Sequence, residues 1–135
     1  MGKRFTSRRL AMQALYQAEI AKTEISQALA NVFTEQEYLR DTTDFATELA
    51  LGTWDKKDQI DEVISANTKD WDLDRLTGVD RNILRLALYE MKFMPKTPVA
   101  VVINEALEMA KKYSTPESAK FINGILGAAQ SKTAD

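Results

Sequence analysis

The side chains most able to do chemistry in this sequence are cations gathered at one end. The first eighteen residues, MGKRFTSRRLAMQALYQA, hold Lys3, Arg4, Arg8 and Arg9 and no carboxylate. The remaining fourteen basic and twenty acidic side chains give a body of net charge −6. A basic arm on an acidic body serves a polyanion, and nucleic acid leads that class. Lysine and arginine displace condensed counterions from phosphates, which supplies affinity without reading sequence. The competing reading is that four exposed cations on a frayed end add solubility. The placement itself carries a cost. Thr6 or Ser7 suits an N-cap, and cations near the positive end of a helix dipole are disfavoured by ~0.3–1 kcal/mol each. Broken local rules of this kind mark functional sites.

A second cluster lies near the other end. The stretch KKYSTPESAKF brings Lys111, Lys112, Tyr113, Lys120 and Phe121 to one helix–turn–helix corner. Phe121 falls off the apolar stripe of its helix. An exposed ring beside lysines stacks a splayed RNA base, worth ~1–3 kcal/mol; a ring that merely borders the core is the equal alternative. A third feature is the strip Met12, Tyr16 and Ile20, spaced by four on the side of the first helix away from Leu10 and Ala14. Either that helix is central to a bundle, or the strip meets a partner.

Whole classes of chemistry are missing. With no cysteine and no histidine, thiol and imidazole catalysis, disulfides and the usual zinc sites are excluded. No P-loop, glycine-rich strand-to-helix turn, nucleophile elbow or carboxylate-rich metal loop is present. Glu105 and Glu108 share a helix flank, but Glu108 precedes Lys112 by four residues and reads as half of a solvated ion pair. No catalytic residue, metal or cofactor is therefore expected. No stretch approaches the ~20 apolar residues of a membrane span, so the expectation is a soluble cytoplasmic protein with no membrane partner.

The elements that must position these residues are helices. Apolar residues recur every three or four positions, and glycine and proline are scarce. The spacing predicts a first helix over Ser7–Ala21, a second over Glu24–Gln36, and a long third one from a cap at Thr42 or Thr43 through Ile64. The segment NTKDWDLDRLTG breaks the pattern and reads as a connection with one short helical turn, its Trp71 plugging the junction. Beyond it, Thr77 with Asp80 resembles a capping box, Pro95 stops the helix that follows, Thr97 caps the next with Pro98 at its first position, and Ser114 with Glu117 opens the last. The tail loosens from Ser131. The expectation is an all-α fold of about seven helices, three then four, in two small packed bundles split at about residues 1–68 and 69–135.

Four blocks, SRRLAMQALYQAE, DRLTGVDRNILRLALYE, TPVAVVINEALEMAKKYS and AKFINGIL, together resemble in order and spacing the family of the bacterial transcription antitermination protein NusB. The resemblance spans nearly the whole chain and is weakest between Thr23 and Thr42. It implies two helical bundles packed at a large angle and a non-enzymatic role: pairing with NusE, a small ribosomal protein, to bind single-stranded boxA RNA of ribosomal transcripts in an RNA polymerase antitermination complex. It carries RNA contact over to Lys3, Arg4, Arg8 and Arg9, and to Glu117, Ser118, Lys120 and Phe121. It carries the NusE surface over to Tyr16, with its strip-mates Met12 and Ile20, and to Asp80. The arm departs from the family in that Phe5 and Thr6 interrupt its cations, which points to weak RNA affinity without a partner. Some relatives dimerise, so a homodimer stands beside a monomer as an expectation for the free protein. Two other readings compete. One is the RNA-recognition module of a ribosomal RNA cytosine methyltransferase, against which the length of the chain argues; the other is a helical protein-interaction module without an RNA role.

Overall fold

The computed structural model describes residues 2–68 and 76–133, with side chains described through residue 130. Seven helices lie among them: α1 (Lys3–Ile20), α2 (Ile25–Val32), α3 (Arg40–Asp55), α4 (Lys57–Ala66), α5 (Gly78–Phe93), α6 (Val99–Tyr113) and α7 (Pro116–Thr133). No strand occurs among the described residues. Helix α1 is central, packed against α2 and α3 on one side and α5 on the other, while α5 carries α4, α6 and α7. Its weak amphipathicity follows from that position, since a helix flanked by neighbours buries more than one face.

Buried apolar side chains form one cluster that runs from Phe5, Leu10 and Leu15 of α1 through Leu49, Ile64, Ile83 and Leu84 to Met109, Ile122 and Leu126. Two glycines permit close approach. A Cβ at Gly52 would collide with the hydroxyl end of Tyr89, so α3 and α5 touch there only because the side chain is absent. A Cβ at Gly78 would lie 2.8 Å from the Tyr16 ring, so the start of α5 rests directly against α1.

Several boundaries differ from those the spacing predicts, each for a local reason. Helix α1 begins at Lys3 with Gly2 as an N-cap that makes no side-chain bond. Thr6 and Ser7 are inside the helix; the buried Ser7 hydroxyl donates to the Thr42 carbonyl at 2.8 Å and pins α1 to α3. The long third helix is two helices, α3 and α4, meeting at Lys56. No proline or glycine marks the break, and the apolar period continues across it, which hides it from pattern reading. Helix α2 stops at Val32, four residues short of the expected end at Gln36. Thr77 caps α5 as the sequence implies, accepting from the Asp80 N–H at 3.1 Å. At α6 the cap position is Pro98 itself, one residue past Thr97. At α7 the cap is Thr115, which accepts from the Ser118 N–H at 3.0 Å, with Pro116 at the first helical position. Helix α7 continues to Thr133, beyond Ser131. Trp71 lies outside the described residues.

Candidate nucleic-acid interface and partner face

The four amino-terminal cations have four different fates. Lys3 is exposed and bonds Asp41 at 2.9 Å across the surface. Arg4 is exposed, with its guanidinium 4.0 Å from the centre of the Phe45 ring. Arg9 is half-buried; it reaches the Gln13 amide oxygen at 3.2 Å and the Tyr38 hydroxyl at 3.4 Å, with Glu35 at 3.8 Å. Arg8 is only 3% exposed. Its Nε donates to Glu90 at 2.8 Å, its Nη2 to the same carboxylate, and its Nη1 to Glu105 at 2.8 Å.

Arg8 is therefore withdrawn from the phosphate-contacting set. Burial pulls its pKa down, but the two carboxylates outweigh that and hold the guanidinium more firmly charged than usual. A charge committed to two carboxylates inside the fold is not available to a phosphate outside it. Sequence reasoning missed this although a signal was present. Arg8 lies four residues before Met12 and seven before Leu15, on the buried side of α1. Glu90 likewise falls inside the apolar run LALYEM. Two opposite charges, each on an apolar stripe, are candidates for a buried pair.

What remains at the start of α1 is an uncapped first turn bearing Lys3 and Arg4, with Lys112 of α6 placed 5.8 Å over the Phe5 ring. The first N–H groups of a helix have no partner within it, and adjacent cations add positive charge to that end. Because α1 starts at Lys3, Arg8 and Arg9 lie beyond its first turn, where the dipole penalty has faded. Glu105 pairs with Arg8, and Glu108 is 3.7 Å from Lys111, its neighbour at three residues. Each glutamate thus faces a cation, and no group of three or more histidine, cysteine, aspartate or glutamate residues able to hold a metal occurs among the described residues.

The strip Met12, Tyr16, Ile20 divides. Met12 is buried at 3% exposure and belongs to the core, so it is not a partner-facing residue of this fold. Tyr16 and Ile20 are 39% and 50% exposed. Both border Gly78 at the start of α5, and a Cβ there would meet both side chains. Below them lies a charged network that sequence reading did not find. Glu19 of α1 accepts from Arg81 at 2.8 and 2.9 Å, from Arg85 at 2.7 Å and from the Asn82 amide at 3.1 Å. Arg85 also makes a two-pronged pair with Asp61 of α4 at 2.7 and 2.8 Å. Burial raises the Glu19 pKa, yet the two guanidinium groups outweigh it and leave the carboxyl below its ordinary range. The network fixes the angle between α1, α4 and α5, and with it the bed on which Tyr16 and Ile20 lie.

Asp80 lies two residues past Gly78, which rests against Tyr16. It is 5% exposed and turned toward α7, where its Oδ2 accepts from the Ser118 hydroxyl at 2.7 Å. That contact brings Asp80 together with Glu117, Ser118 and Phe121, around a cleft also lined by Leu76, Thr77 and Thr115. Phe121 borders the core, half-buried. Lys120 is exposed on the same turn of α7.

The family model described as the NusB family matches residues 6–131. The chain belongs to the NusB family. Among curated relatives it is 47% identical over 125 residues to the transcription antitermination protein NusB of Bacillus cereus, covering 92% of this chain and 94% of that one. Among solved structures it resembles NusB of T. maritima at 36% identity and a TM-score of 0.86, covering 93% and 89% of the two chains. It also resembles a chain in the crystal structure of antitermination factors NusB and NusE in complex with double-stranded RNA, at 26% identity and a TM-score of 0.87, covering 94% and 95%. The all-helical architecture is that of NusB structures. Among the described residues, no helix is long and apolar enough to cross a membrane.

Proposed function

We propose that this protein is an RNA-binding transcription antitermination factor without enzymatic activity. In this reading it pairs with NusE, binds the boxA element of ribosomal RNA transcripts as a single strand, and joins the RNA polymerase assembly that suppresses premature termination. The observation that carries the reading is the segregation of two unlike surfaces about α1. An uncapped, cationic helix end with Lys3, Arg4 and Lys112 lies at its start, and the exposed apolar pair Tyr16 and Ile20 lies at its far end. Lys3, Arg4 and Arg9 contact phosphates, and their existing surface partners are exchanged for RNA at little cost because exposed ion pairs are worth little. Lys120 and Phe121, with the polar turn Glu117 and Ser118, extend the RNA surface at the start of α7. Tyr16 and Ile20 form the NusE face.

Labelled boxA RNA titrated with the protein, with and without NusE, tests this reading. Binding that tightens when NusE is present supports it; no RNA binding in either case overturns it.

A further inference from the structure

The exposed cations assigned to RNA already have partners within the chain. Lys3 donates from Nζ to Asp41 Oδ2 at 2.9 Å, with both side chains 62% exposed. That bond is the main reason the Asp41 carboxyl lies below its ordinary pKa, and Arg4 is near enough to add to the effect. Arg9 Nη1 stands 3.8 Å from Glu35 Oε2, and the Tyr38 hydroxyl joins the two, accepting from Arg9 and donating to Glu35 at 3.4 Å each. Both carboxylates come from outside the arm: Asp41 from the first turn of α3 and Glu35 from the connection that precedes it. Neither fastens the fold. The Ser7 hydroxyl bond to Thr42 and the apolar side chains between α1 and α3 hold those helices together, whereas exposed ion pairs add little.

We propose that Asp41 and Glu35 are negative determinants of RNA affinity: each holds an arm cation in the free protein and opposes the phosphate that would take its place. The inference rests on the RNA-binding reading and deepens it, since it names the residues of the acidic body that limit how tightly the arm binds. Carboxylate and phosphate oxygens accept from the same ammonium and guanidinium N–H groups. A phosphate drawn to Lys3 displaces Asp41 or stands beside it and is repelled by like charge, so part of each contact's attraction is cancelled. An ion pair kept for structure behaves in the opposite way: removing its acid weakens the fold and leaves RNA affinity unchanged or lower. Asp41 is the stronger of the two, because its bond to Lys3 is short and its charge reaches Arg4, while Glu35 stands 3.8 Å from Arg9.

The test titrates labelled single-stranded boxA RNA with the full chain, NusE being present. Asp41→Asn, which keeps the shape and removes the charge, tightens binding about twofold to fivefold, the effect of one exposed ion pair. Glu35→Gln tightens it less, and the double variant exceeds either. Asp58→Asn controls for net charge: Asp58 is exposed beside Lys57, at 3.5 Å, in the first turn of α4, a helix that packs on α3, α5 and α7. It leaves affinity unchanged. In a Lys3→Ala background Asp41→Asn loses most of its effect, because no phosphate is drawn to that position. Affinity that is unchanged or weaker in Asp41→Asn, an equal gain in Asp58→Asn, or a full gain in the Lys3→Ala background overturns the inference. Failure of the unaltered protein and of every variant to bind RNA refutes the RNA-binding reading itself.

Discussion

Arg8 and Glu90 stand 82 residues apart in sequence and form a two-pronged ion pair that is almost wholly buried between α1 and α5, with Nε to Oε1 at 2.8 Å. The pair converts a cation of the basic arm into a fastening for the helix that carries the arm.

Removing one partner strands the other in the core. Arg8→Ala is expected to destabilise the fold by about 3–5 kcal/mol, the usual cost of an uncompensated buried charge. The urea midpoint measures it. Replacing both partners with apolar side chains of similar volume, Arg8→Met with Glu90→Leu, recovers most of that loss and leaves RNA affinity close to that of the unaltered protein. A single Arg8 variant that loses RNA binding thus does so by unfolding.

Tyr16 is held against Gly78 and is 39% exposed, so a charge placed there costs the fold little. Tyr16→Asp is expected to abolish capture of NusE while its thermal midpoint, followed by circular dichroism, stays within a few degrees. Met12→Asp is the contrasting case. Its side chain is in the core, and the variant fails to fold.

Acid sensitivity follows from Glu19. Its carboxyl is held below the ordinary value because the bonds from Arg81 and Arg85 outweigh desolvation. A depressed pKa in the folded state means that its stabilisation is complete above the unfolded value of about 4.3 and drains away as pH falls through the lower, folded value. Glu19→Gln is therefore less stable at neutral pH and shows a shallower loss of stability on acidification below about pH 4. Chemical denaturation across that range reads both effects.

The helical class, the Thr77 cap and the apolar faces of α5, α6 and α7 were legible because local spacing determines them; the division into three helices and then four was not, since four helices, α1 to α4, precede the connection and three follow it among the described residues. The break at Lys56 was not, since it interrupts no pattern. Long-range pairing was the larger loss. Arg8 reads as one of four equivalent cations until Glu90 is placed beside it, and nothing in local spacing links Glu19, Asp61, Arg81 and Arg85, which meet only where α1, α4 and α5 converge. Met12 and Tyr16 share a strip in sequence, and only the neighbouring helices decide that one is core and the other surface. Asp80 was legible as a capping-box acid, but its side chain answers to Ser118, 38 residues away.

The central claim is that phosphate contact resides in the exposed cations of the arm and not in Arg8. The slope of log affinity against log salt for single-stranded boxA RNA, measured with NusE present, tests it most directly. Each lost phosphate contact lowers that slope by about 0.7. Combined replacement of Lys3, Arg4 and Arg9 by alanine is predicted to flatten it by about 2, whereas Arg8→Met with Glu90→Leu leaves it unchanged. An unchanged slope in the triple variant, or a flattened one in the Arg8 and Glu90 variant, would contradict the account.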